Sequence, residues 1–146
     1  MRQSLAQLER ALVDEIEQDR EQADRLRREV EDTRRFAKAD VLRAMLEIQD
    51  NFERALQSET NGSDTEGADG FRAGVELIYQ RLRGVLLEQG AEPIEAQDQP
   101  FDPAVHEAVG QLPREGVEAG IVIEVVQPGF RFDTMVLRPA RVIISA

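Results

Sequence analysis

From Leu5 to Leu56 the chain contains neither proline nor glycine, and this constrains its fold more than any other feature. Arg, Glu, Asp, Gln, Ala and Leu dominate the stretch, and most of them are strong helix formers. A stripe runs through it: Leu5, Leu8, Leu12, Ile16, Asp19, Ala23, Leu26, Val30, Arg34, Ala37, Val41, Met45, Ile48, Phe52 and Leu56. Its steps of three and four average about 3.6 residues, so the stripe stays on one side of an almost straight helix. At about 1.5 Å per residue such a helix is on the order of 75 Å long. One small domain cannot cover a rod of that length, so the stripe is expected to face a second copy of itself. The periodicity permits parallel or antiparallel pairing.

Ser4 is the expected N-cap. The stripe is thin in the middle, where Asp19, Ala23 and Arg34 stand at positions that a tight dimer would fill with Leu or Ile. Two readings stay open there: ordinary imperfections of a long helix, or a rod that unwinds on warming. From Val41 to Leu56 the apolar arc widens to include Leu42 and Leu46, which implies burial by more than one neighbour. Residues 57–70, Q-S-E-T-N-G-S-D-T-E-G-A-D-G, read as a mobile surface loop. Phe71 to Gln89 restores a helix with Phe71, Val75, Ile78, Leu82 and Val85 on one stripe, and Gly90 is its stop signal. Two such helical hairpins from two chains would form a four-helix bundle. The expected dimer interface is Leu26, Val30, Val41, Met45, Ile48, Phe52, Leu56, Phe71, Val75, Ile78 and Leu82.

After Gly90 prolines and β-branched residues cluster. Val105–Leu112, Ile121–Gln127, Met135–Arg138 and Arg141–Ser145 read as short strands. Gln127-Pro128-Gly129-Phe130 fits a type II turn, with Gly129 where φ must be positive. The expected fold class is α+β. Residues 1–90 form a dimerisation stalk and bundle, and residues 91–146 form a small all-β wing.

A formal net charge of −11 argues against a nucleic-acid backbone or an anionic membrane as the main partner. There is no cysteine, and no apolar run approaches the ~20 residues that span a bilayer. A cytoplasmic protein is expected. His106 is the one histidine, with Asp102 four residues before it. No second histidine, nucleophile motif or Gly-rich phosphate loop accompanies it. The expected protein is therefore not an enzyme, takes no cofactor or metal, and works by binding.

Phe101-Asp102-Pro103, His106, Ala108-Val109, Gly129-Phe130, Leu137-Arg138, Ala140, Val142 and Ile144 resemble the signature of the GrpE family. Members of that family are nucleotide-exchange factors of DnaK-type chaperones. Asp50-Asn51-Phe52-Glu53-Arg54-Ala55-Leu56 is similar to the family's segment at the end of its long helix. Thr134 departs from the usual Gly, Asp or Glu. Met135 stands where some members carry an arginine that reaches the chaperone, and Glu47 replaces a common proline. Arg27-Arg28 and Arg34-Arg35 are both candidates for the family's basic cluster.

The resemblance implies a parallel homodimer whose wing binds the nucleotide-binding domain of a DnaK-type chaperone. Holding that cleft open lets ADP leave and ATP enter. Carried over position by position, the expected contacts are Phe101, Pro103, Val126, Gly129, Phe130, Arg138 and Ile144. Phe101, Phe130 and Ile144 could instead fill the wing's core. The alternative function is a dimeric stalk adaptor that presents a β module to another protein.

Overall fold

The computed structural model describes residues 2–58 and 68–146 and divides into two compact units, Met1–Lys38 and Ala39–Ala146. Helix α1 spans Arg2–Ser58 and helix α2 spans Ala68–Glu88. Six strands follow: β1 (Ala91–Pro93), β2 (His106–Leu112), β3 (Val122–Gln127), β4 (Phe130–Phe132), β5 (Met135–Arg138) and β6 (Ala140–Ser145). The long N-terminal helix, the second helix and the small C-terminal β region make the chain α+β. None of the described helices is long and apolar enough to cross a membrane.

The N-terminal unit is helix throughout its described residues, and Arg35 alone among the described side chains is partly covered. Leu5, Leu8, Leu12, Ile16, Leu26 and Val30 all face solvent within the chain. Ion pairs such as Arg27–Asp24 (4.0 Å) and Arg35–Asp32 (3.8 Å) lie on the surface and contribute about 0.5 kcal/mol or less each. Ser4 lies in the first turn of α1 instead of ahead of it, because Arg2 and Gln3 are already helical.

In the C-terminal unit α1 carries two apolar faces. Ala39, Leu42 and Leu46 are buried, whereas Val41 and Ile48 remain exposed. The buried face meets Leu86 of α2, Ala91 of β1, Phe130 of β4 and Leu137 of β5 in one core. The wide apolar arc at Val41–Leu56 thus has one side closed by the chain's own helix and sheet. Glu47 lies inside an uninterrupted α1.

Both ends of the loop expected at 57–70 are helical. Gln57 and Ser58 close α1, Ala68–Gly70 open α2, and residues 59–67 lie outside the described set. Gly90 ends α2 as expected, with φ of 94° and its N–H bonded to the Leu87 carbonyl at 2.9 Å.

One sheet has the order β1-β4-β5 and is antiparallel throughout. The other has the order β2-β6-β3, with β2 parallel and β3 antiparallel to β6. A second core of Ala96, Val122, Ala140 and Val142 lies here, with Phe101, Val125 and Ile144 packed against it. The four predicted strands occur, each within one residue of its expected start. Strands β1 and β4 are not predicted. Each has three residues, too few to show an alternation, and Pro93 is tolerated because β1 is an edge strand.

The type II turn at Gln127–Phe130 does not form. Among the described residues positive φ is taken by Asp98, Asp133, Gly90, Gly116 and Gly120, and Gly129 is not one of them. Glycine is needed there for space instead, because a Cβ would stand 2.3 Å from the Ala140 backbone nitrogen. In the β4–β5 turn Asp133 takes the left-handed conformation (φ 55°), so Thr134 need not.

Candidate functional site

The densest polar arrangement in the C-terminal unit joins α1 to β5. Arg138 donates from its two terminal nitrogens to both carboxylate oxygens of Asp50, one of them at 2.8 Å. Its Nε donates to the Pro128 carbonyl at 2.9 Å, and the guanidinium sits 5.4 Å from the centroid of the Phe130 ring. Gln127 adds a third donor to Asp50 at 2.8 Å. Side chains of Arg138 and Asp50 are 17% and 16% exposed, so the pair is shielded from solvent far more than a surface ion pair. Seven residues earlier on α1, Arg43 donates through Nε to the Leu137 carbonyl at 2.9 Å. Its guanidinium also reaches the Met135 sulfur at 3.7 Å.

Burial pushes the Asp50 carboxyl up, but hydrogen bonds from Arg138 and Gln127 and the charges of Arg138 and Arg54 outweigh it. Its pKa is therefore held below the ordinary value. A carboxyl lowered on folding contributes stability above its unfolded pKa, and that contribution is lost as pH falls through the folded value. The stability gap between wild type and Asp50→Asn is thus expected to hold above about pH 5 and to shrink as pH falls below the unfolded carboxyl pKa and through the lowered folded one. Urea unfolding at a series of pH values measures it, and a constant gap would show that the carboxylate charge is not involved.

The seven expected contact residues fall into different environments. Pro103 and Val126 are exposed. Phe130 is 7% exposed within the first core, while Phe101 and Ile144 pack against the second. Gly129 is buried, and its carbonyl accepts the Ile94 N–H at 2.9 Å. Arg138 is committed to Asp50. A groove of about 350 Å³ lies beside this pair, lined by Asp50, Glu53, Arg54, Val126, Gln127 and Arg141 among others.

Of the expected dimer residues, Leu26, Val30, Val41, Ile48, Phe71 and Ile78 are exposed in the single chain. Met45, Phe52, Leu56, Val75 and Leu82 are partly covered, Met45 and Leu82 by the first core. His106 is buried, and its Nδ1 accepts the Asp102 backbone N–H at 3.0 Å. That bond requires the proton of a neutral ring to sit on Nε2. Among the described residues no cluster of three or more His, Asp or Glu side chains could hold a metal ion.

Asp50 and Arg43 escape sequence reasoning as site residues. The available signal is a second stripe, Ala39-Leu42-Leu46-Gln49, whose flank carries Arg43 and Asp50 about two turns apart on one side of the helix.

The model of the GrpE family matches residues 1–146, the whole chain. The chain belongs to the GrpE family. Relatives named Protein GrpE include one from Rhodopirellula baltica, 36% identical over 121 residues, 83% of this chain and 60% of that relative. Another, from Geobacillus kaustophilus, is 40% identical over 121 residues, 83% of this chain and 55% of the relative. A third, from Brevibacillus choshinensis, is 38% identical and is covered over 66% of its length. This GrpE-family chain therefore spans little more than half the length of the first two relatives.

Proposed function

We propose that this GrpE-family chain is a dimeric nucleotide-exchange factor for a DnaK-type chaperone. Family membership over all 146 residues carries the reading, and the α+β build is what the resemblance implies. The chain binds the chaperone's nucleotide-binding domain in its open state more tightly than in its closed state. ADP prefers the closed cleft, so the two ligands oppose each other by one coupling free energy. Faster ADP release follows, and ATP rebinds. No bond is made or broken by this chain, so the role is that of a cytoplasmic co-chaperone in protein folding and the stress response, not an enzyme.

Two parallel copies pair along the Leu26, Val30, Val41, Ile48, Phe71 and Ile78 faces. Their exposure in the single chain is what a bundle would remove. On the wing, Val126 and Pro103 are exposed, whereas Phe130 belongs to the first core and Phe101 and Ile144 pack against the second. Val126 offers an apolar centre, and the rim of its groove is charged, as contact surfaces generally are.

Release of a fluorescent ADP from a DnaK-type chaperone, with and without this protein, tests the function. Acceleration is expected, and Val126→Asp is expected to raise the half-saturating concentration about tenfold or more. An unchanged release rate would reject exchange in favour of the adaptor reading.

The thin, wholly exposed stretch around Asp19, Ala23 and Arg34 has few contacts to hold it, so its local stability should be low. On heating, helical signal is expected to fall reversibly before the C-terminal unit unfolds, with exchange activity falling alongside. One cooperative transition by circular dichroism would contradict this thermal response.

A further inference from the structure

Arg43 and Asp50 leave α1 on the same side, about 10 Å apart along its axis. Between them Leu46 and Gln49 are buried. Two adjacent residues of β5 answer to these two anchors: Leu137 through its backbone carbonyl, Arg138 through its guanidinium. One anchor would leave the strand free to pivot on the helix, whereas two fix its rotation. Arg138 also holds the Pro128 carbonyl, and Gln127 holds the Asp50 carboxylate. The β3–β4 connection, which follows the exposed Val126, is therefore tied to the same carboxylate.

We propose that Asp50, seconded by Arg43, is a positioning residue for partner engagement. It orients the β1-β4-β5 sheet and Val126 against α1, and Arg138 acts inside this clasp instead of touching the partner. The proposal rests on the exchange function given above. A planar guanidinium pairing with both oxygens of a carboxylate restricts direction as well as distance, which suits orientation. The exposed Arg131, by comparison, meets Glu92 through Nε at 3.2 Å.

The full-length chain is tested in two arms. In the first, the half-saturating concentration for accelerated ADP release is measured. Asp50→Asn is expected to raise it about tenfold, as when only a tenth of molecules hold the competent orientation, with the rate at saturation unchanged. The charge swap D50R/R138D is expected to regain most of the loss, and Arg43→Gln to give a smaller rise. An unchanged half-saturating concentration in Asp50→Asn overturns the proposal. So does an Arg138→Gln effect that is as large in the Asp50→Asn background as in wild type, because Arg138 would then meet the partner directly.

The second arm uses the free protein. Amide hydrogen exchange is expected to quicken more in β4 and β5 of Asp50→Asn than in β2 and β6. Exchange that quickens as much in β2 and β6 as in β4 and β5 would mark a general stabiliser and overturn the positioning role. If the wild-type protein fails to speed ADP release, the exchange function falls, while this arm still decides the clasp.

Discussion

Gly129→Ala is expected to destabilise the C-terminal unit by about 3 kcal/mol, as overpacking against immovable atoms does. The added Cβ would lie 2.3 Å from the Ala140 nitrogen, 2.8 Å from its Cα and 2.8 Å from the Pro139 carbonyl carbon. All three are backbone atoms, so no rotamer change can relieve the contact. Neither side can retreat easily. Ala140 donates its N–H to the Val105 carbonyl at 2.9 Å and is fully buried, while Gly129 is held through its carbonyl by Ile94. The chain crosses itself here between the β3–β4 connection and the start of β6, where the two sheets adjoin. Gly84→Ala in α2 is the control. A Cβ at Gly84 meets nothing within 4 Å, so alanine there should be neutral or stabilising by up to about 1 kcal/mol. Denaturant unfolding at one fixed protein concentration reads both. A Gly129→Ala protein as stable as wild type would mean that the crossing is looser than its geometry.

The second large effect is expected from Leu46→Ala, which should cost about 3 to 4 kcal/mol. Leu46 is fully buried where α1, α2 and the β1-β4-β5 sheet share one core, so its removal leaves a void lined by several elements. The loss is expected in the unfolding midpoint with little change in slope, since the surface exposed on unfolding is nearly the same. Ile48→Ala, two residues away, provides the contrast. Ile48 is 49% exposed in the chain, so its contribution to the fold of one subunit is small. Under the proposed dimer, its truncation shifts the midpoint in a manner that depends on protein concentration. A Leu46→Ala midpoint equal to wild type would remove the case for a shared core.

These two residues also show why the helical part of the chain could be read so far ahead. Helical periodicity is a local property: each apolar residue recurs three or four positions on, and no distant residue is needed to see it. Both helices and the stop at Gly90 follow from it. The same pattern identifies Leu42 and Leu46 as part of a second apolar face. Val105–Leu112 and Ile121–Gln127 were legible because they are long enough for β-branched residues to accumulate. The family was legible because its signature is a set of fixed residue types in fixed order.

What lay beyond the sequence depends on pairs far apart in the chain. Ala91 acquires its strand only by pairing with Phe132, and β2 runs parallel to β6 only because the three strands between them carry the chain back. Proline and glycine at 128 and 129 carry an ordinary turn signal, yet what Gly129 supplies is room for Ala140, eleven residues on. Asp50 and Arg138 are 88 residues apart, and each by itself is one charged residue among many. Sequence determines which segments coil and which extend, since those preferences arise within a few residues of each backbone bond. Tertiary structure alone decides which carboxylate meets which guanidinium, because that choice is made by packing Leu42 and Leu46 of α1 against Leu137 of β5.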